Sequence, residues 1–125
     1  MEFIESPAFS RQVSHYLYDE EYWGLQNELA RNPQAGDLMP GTGGFRKVRW
    51  ADPRRGKGRR GGLRVVYYYF AQDQEIWLMT LFDKDEAADL LPKEKKALKS
   101  AIAAELDWRE ARRERRKRNP RRTRQ

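Results

Sequence analysis

Leu63-Arg-Val-Val-Tyr-Tyr-Tyr-Phe70, the turn Gln72-Asp73-Gln74 and then Glu75-Ile-Trp-Leu-Met-Thr-Leu-Phe82 decide the fold. Both runs are nearly continuous in apolar character and rich in β-branched and aromatic residues, which suit a pleated surface. Two such runs around a short polar turn predict a hairpin at the centre of a sheet. Upstream, Phe45-Arg-Lys-Val-Arg-Trp50 has a period of two. A strand there puts Phe45, Lys47 and Arg49 on one side and Arg46, Val48 and Trp50 on the other. Residues 52–62 form a basic, glycine-rich connector between these strands.

Outward from the sheet, the pattern turns helical. Glu2-Phe-Ile-Glu5 is long enough for a short first strand. Pro7 suits the first position of a helix, where its missing N–H is not needed, and Phe9, Val13 and Tyr16 or Leu17 follow at helical spacing. Asp19 is the expected N-cap of a second helix, with Glu20 and Glu21 in its first turn, ending at Asn32-Pro33. Gly36 to Gly44 reads as a loop with at most a short extended piece near Leu38-Met39. Pro92 opens a last helix with Leu98, Ala101, Ile102 and Leu106 on one face. The expectation is an α+β domain over residues 1–108, an antiparallel sheet with N-terminal helices and a C-terminal helix, the helices mostly on one face. Residues 109–125 form a basic tail, read either as a helix extension or as disordered.

The chain has 125 residues, enough for one domain, and its 15 aromatics (4 Trp, 6 Tyr, 5 Phe) can build a modest core despite 36 % charged residues. No apolar run approaches the roughly 20 residues of a membrane span. Acids at Glu2 and Glu5 with no apolar run behind them argue against a secretory signal, so a cytoplasmic location is expected. Cysteine is absent, which removes disulfides, thiolate metal sites and Cys nucleophiles. His15 is the sole histidine, which removes multi-histidine metal sites and two-histidine acid–base pairs.

Charge is clustered. Residues 45–64 hold nine Lys/Arg against Asp52 alone, and residues 109–125 hold ten against Glu110 and Glu114. The rest of the chain carries seven bases against sixteen acids, for a total of +7. Two basic blocks on an acidic body are the footprint of a polyanionic partner, usually nucleic acid.

Several motifs fail on mechanism. Gly56-Lys-Gly-Arg-Arg-Gly61 matches a dinucleotide fingerprint literally, but a strand follows it where that motif needs a helix. Gly41-Thr-Gly-Gly44 lacks the Gly-Lys-Ser/Thr close of a P-loop. Asp83, Asp85, Glu86 and Asp89 follow neither a calcium-loop nor a tetrahedral spacing and read as a solvated strand-to-helix turn. No cofactor and no metal is expected. What survives is a set of four cations: Lys47 and Arg49 on one strand face, Arg64 opening the central strand, and Lys84 after the end of its partner. Antiparallel pairing brings Arg64 and Lys84 together. Arginine reads phosphate bidentately and lysine acts as a point charge, so the set suits stabilisation of a phosphoryl centre. RNA brings its own nucleophile, the 2′-OH. A lysine base would need a shift of about 3 units, roughly 4 kcal/mol, to work at neutral pH. Positioning of the RNA by a partner can alternatively supply about 7–11 kcal/mol.

Asn32-Pro33-x-x-Gly36-Asp37, Gly41-Thr-Gly-Gly-Phe45-Arg-Lys-Val-Arg49, Gly56-Lys-Gly-Arg-Arg-Gly-Gly-Leu-Arg-Val-Val-Tyr-Tyr-Tyr69, Leu81-Phe-Asp-Lys84-Asp-Glu86 and Asp89-Leu90 together resemble the RelE/ParE toxin superfamily, and within it the HigB-type toxins of type II toxin–antitoxin systems. The resemblance spans about residues 2–108. It implies a compact RelE-like α+β fold, ribosome-dependent cleavage of mRNA that inhibits translation, neutralisation by a cognate antitoxin, and contact with operator DNA only through the antitoxin complex. Lys47 and Arg49 match the paired basic strand positions that bind RNA phosphates, Arg64 matches the arginine set to stabilise the scissile phosphate, and Lys84 matches the basic residue at the last strand's end. Arg46, Lys57, Arg59 and Arg60 are further RNA-binding candidates. Two departures bear on the acid and base: Asp85 stands where the pattern has a second arginine, and Leu91 stands near the position of a C-terminal tyrosine. Lys57, Arg59, Arg60 and Tyr68 are the candidate substitutes. A ParE-like DNA gyrase inhibitor and a non-catalytic nucleic-acid-binding module are the competing readings.

Overall fold

The computed structural model describes residues 1–52 and 62–118. The elements run β1 (Glu2–Glu5), α1 (Pro7–Tyr16), α2 (Asp19–Arg31), β2 (Asp37–Leu38), β3 (Arg46–Trp50), β4 (Leu63–Phe70), β5 (Glu75–Asp83) and α3 (Pro92–Arg118). The five strands form one sheet in the order β1-β5-β4-β3-β2. The fold is α+β, with the β4–β5 hairpin at its centre. The hairpin turns through a 3-10 turn at Ala71–Asp73 and a left-handed Gln74 (φ 49°).

Most of the sheet is antiparallel, but β1 pairs with β5 in parallel, Phe3 opposite Ile76 and Ile4 opposite Trp77. The expectation of an antiparallel sheet is corrected at this edge, because the chain enters the sheet at β1 and reaches β5 only after crossing it. The helices also divide differently from expectation. Phe9, Leu17, Leu25 and Leu29 of the N-terminal helical layer pack with Val48, Leu63, Val65, Tyr67, Ile76, Leu78 and Leu81 on one face. Ile102, with Leu98 and Leu106, packs with Phe45, Val66, Phe70 and Phe82 on the other. A central hairpin apolar on both faces needs cover on both. Ala101, expected on the apolar face of α3, is exposed.

Local chemistry fixes the joints. Ser6 caps α1, its Oγ accepting from the Phe9 N–H at 3.0 Å, with Pro7 at the first helical position. The same hydroxyl donates to the Met79 carbonyl at 2.6 Å and ties α1 to β5. That point coincides with a register shift between Val66 and Tyr67, where β5 inserts an extra residue. Tyr18, not Asp19, is the N-cap of α2; Asp19 joins Glu20 and Glu21 in the first turn, where their charge meets the positive end of the helix dipole.

The Gly41–Gly44 loop is structural. The Thr42 hydroxyl donates to the Met39 carbonyl and accepts from the Phe45 N–H. Gly43 has φ +77°, and a Cβ there would lie 2.9 Å from Ile102 Cγ2. A glycine at this spot lets the loop press Phe45 into the α3-facing core.

No helix among the described residues is long and apolar enough to cross a membrane. α3 continues ten residues past Trp108, to Arg118, as a helical extension of the domain.

Candidate functional site

The β3–β4 register sets the site. Lys47 stands opposite Val66, and Arg49 stands opposite Arg64. Arg64 in turn faces Phe82 across β5. Directly opposed residues project from the same face, so Arg49, Arg64 and Phe82 form one row and Lys47 lies in the next. Phe45, Val66 and Phe82 belong to the α3-facing core, which assigns the whole group to that face. α3 docks over the far half of this face.

Arg64 is buried at 9 % relative exposure. Its Nη1 reaches the Gly62 and Leu63 carbonyls at 3.4 and 3.3 Å. Burial, then the Arg49 charge, lower its pKa from the ordinary arginine value, and Asp83 opposes them. Arg49 itself is exposed. Like charges directly opposite on paired strands repel, and an anion placed between them removes that repulsion.

Lys47 is not a bare cation. Its Nζ lies 3.3 Å from Asp89 Oδ1, and Lys95 Nζ lies 2.7 Å from Asp89 Oδ2. Burial raises the Asp89 carboxyl, but hydrogen bonds from Lys95 and the Leu90 N–H and the Lys47 charge outweigh it and hold the pKa below its ordinary value. Asp89 is therefore a fixed carboxylate that seats two lysines, and the trio keeps one net positive charge. Lys95 is a site residue that sequence reasoning missed; its position in the first turn of the helix opened by Pro92 was the available signal.

Lys84 is exposed, and its N–H donates to the Gly62 carbonyl at 3.4 Å, the same oxygen that Arg64 Nη1 reaches. Lys84 and Arg64 thus meet at one point of the chain. Arg46 does not join this group. It stands opposite Tyr67, on the α1/α2 side, and its Nη1 donates to the Gly36 carbonyl at 2.8 Å. Lys57, Arg59, Arg60 and the Gly56–Gly61 motif lie outside the described residues.

Tyr68 shares the face but not the place. It is four strand residues from Arg64, about 13 Å along the strand. Its ring packs edge-on to Phe45 (5.3 Å between centroids) and against Phe70 (4.7 Å). Leu91 is exposed just before α3. His15 is exposed in the last turn of α1. Among the described residues, no group of three or more His, Asp or Glu side chains is placed to hold a metal ion. Asp83 accepts from the Asp85 N–H at 2.8 Å, and Glu86 accepts from the Tyr16 hydroxyl, so these acids shape the strand-to-helix turn.

The register gathers the Arg49 and Arg64 strand positions, the paired Lys47 and the exposed Lys84 at one end of this sheet face. Such a group can bind an anion and stabilise charge that develops on it. These features define an α+β domain with a cluster of cationic residues at one end of a sheet face. No family model matches the chain.

Proposed function

We propose that this protein is the toxin of a type II toxin–antitoxin system, a ribosome-dependent mRNA endonuclease of the RelE/HigB kind held inactive by a cognate antitoxin. The observation that carries the reading is the opposed pair Arg49–Arg64 across β3 and β4, with Lys47 and Lys95 on Asp89 and the Lys84 backbone on the Gly62 carbonyl that Arg64 also reaches. The motif resemblance supplies the class of substrate.

In this reading the scissile phosphate sits between Arg49 and Arg64. The substrate 2′-oxygen attacks phosphorus, the bond to the 5′-oxygen breaks, and the products are a 2′,3′-cyclic phosphate and a 5′-hydroxyl. The 2′-OH loses a proton and the leaving oxygen gains one. Arg64, fixed on a central strand, takes the charge that grows on the non-bridging oxygens. Arg49, exposed, delivers the phosphate to it. Asp89, clamped by two lysines, orients Lys47 and takes no proton. The ribosome contributes orientation of the mRNA, worth up to about 7–11 kcal/mol when the reacting groups are held in line.

Induced expression without antitoxin tests this. Growth arrest with loss of a translated reporter mRNA, while the same mRNA lacking a start codon stays intact, supports the reading. Arrest with intact mRNA and a DNA-damage response moves the gyrase reading to the front.

A further inference from the structure

The C-terminal half of α3 carries a second cationic surface far from the first. Arg109 stands over the Phe70 ring, 3.7 Å from its centroid. Phe70 and Arg64 are six strand residues apart, about 20 Å along β4. Arg109 is spent on the fold: it donates to Asp73 (2.9 Å), Glu105 (2.7 Å) and Glu75. Arg113 lies 3.7 Å from Asp73. These contacts fasten the helix to the hairpin turn and aim the next face outward.

That outward face is ordered by charge. At 3.6 residues per turn, Trp108, Arg112, Arg115 and Arg116 share one side of the helix, and Glu110 and Glu114 fall on the other. Glu114 is occupied with Lys117 at 3.6 Å. Trp108 is 52 % exposed, and the Arg112 guanidinium lies 5.3 Å from its ring centroid. A cleft of about 150 Å³ is lined by Trp108, Arg112 and Arg116, with Arg109 and Arg113 beside Asp73 and Glu75, the two acids that Arg109 engages.

We infer that this face is a binding surface for single-stranded RNA, a base stacking on Trp108 and the flanking phosphates lying on Arg112, Arg115 and Arg116. An exposed indole among arginines matches what a single strand presents, open base faces joined by phosphates, whereas a duplex hides its base faces. The choice of RNA over other nucleic acids rests on the function proposed above; the stacking-plus-phosphate chemistry does not. The surface is a grip, remote from the Arg49–Arg64 pair, and it performs no chemistry.

The test is equilibrium binding of a fluorescein-labelled oligouridine to the purified full-length protein across a salt series, without ribosomes. The variants are Trp108→Ala, Trp108→Phe, Arg64→Ala and the triple Arg112→Gln/Arg115→Gln/Arg116→Gln. The triple variant should flatten the log–log salt dependence by about 2, at roughly 0.7 per phosphate contact on a single strand. Trp108→Ala should weaken binding at least about fivefold, the low end of base–aromatic stacking, with Trp108→Phe retaining most of it. Arg64→Ala should leave the contribution of these four residues in place, so failure of the cleavage reading does not decide this result. The substituted side chains point to solvent, and melting curves of the triple variant should match the wild type. A triple variant with unchanged affinity and slope overturns the inference. So does displacement of the oligouridine by polyglutamate as readily as by unlabelled oligouridine, which marks a general acidic-partner surface. Equal affinity for an oligothymidine overturns the choice of RNA.

Discussion

Replacing Arg49 by glutamine should make the protein more stable and less active. Arg49 is exposed and stands directly opposite the buried Arg64 in the β3–β4 register. Two unit charges at 4 Å repel by about 1 kcal/mol in water and about 4 kcal/mol at an effective dielectric of 20. Solvent around Arg49 favours the lower limit, and measured cross-strand pairs span roughly 0.2–1 kcal/mol. Glutamine keeps the length of the side chain and drops the charge. The expected gain is about 0.5–1 kcal/mol, a rise in melting temperature of about 2–4 °C for a domain of this size. Added salt should stabilise the wild type more than the variant, because screening weakens a repulsion that only the wild type has. Inorganic phosphate or sulfate should raise the wild-type melting temperature beyond the effect of chloride at equal ionic strength, and this excess should shrink in Arg49→Gln. Thermal denaturation followed by circular dichroism in matched chloride and phosphate buffers reads all three effects. A variant that melts several degrees lower would show that Arg49 supports the fold and that no stored repulsion waits for an anion.

Other perturbations follow from the same contacts. Arg109→Ala should lower stability by about 2–4 kcal/mol, about 8–15 °C in melting temperature, since it strands Asp73 and Glu75 and uncovers Phe70; Arg109→Lys should recover little, lacking the planar fork. Cutting the chain after Arg109 should therefore be far milder than cutting it after Trp108, as urea denaturation of the two truncations will show. Asp89 has a folded pKa below its ordinary value. Its contribution is in place above about pH 4 and fades as pH falls through the lower folded value, so Asp89→Asn should flatten the acid limb of the stability–pH curve. Gly43→Ala should cost at least about 1 kcal/mol, because its backbone has φ +77° and the new methyl would meet Ile102; loss of α3 protection in hydrogen exchange is the local readout.

The sheet was legible because its signals are local. The period-two pattern of Phe45–Trp50 placed Lys47 and Arg49 on one face and Arg46 on the other, and the register bears this out. The apolar hairpin announced itself by composition. Pro7 marked the start of α1 correctly, whereas Asp19 missed the N-cap of α2 by one residue, since a run of three acids in a first turn looks like a cap from any of its members. What stayed hidden depended on distance along the chain. The partner of Lys47 lies 42 residues away at Asp89. Arg109 opens a run in which every arginine looks alike, and only the approach of the hairpin turn sets it apart. Its signal was positional: it continues the Leu98–Ile102–Leu106 stripe at the next helical step. A charged residue at that step looks like the end of an apolar face, so the sequence alone does not mark the Arg109 contacts with Asp73 and Glu75. The parallel pairing of β1 was equally illegible, as four residues carry no information on direction.

The most direct measurement is primer extension on an mRNA translated in a purified system, with wild type, Arg64→Ala and a reaction lacking ribosomes. If the Arg49–Arg64 pair holds the scissile phosphate, cuts appear within codons of the translated frame, vanish without ribosomes and fall at least a hundredfold with Arg64→Ala, as expected on losing about 3 kcal/mol of charge stabilisation. An intact mRNA in every lane, from protein that melts cooperatively, contradicts the nuclease reading; full cutting by Arg64→Ala contradicts the site.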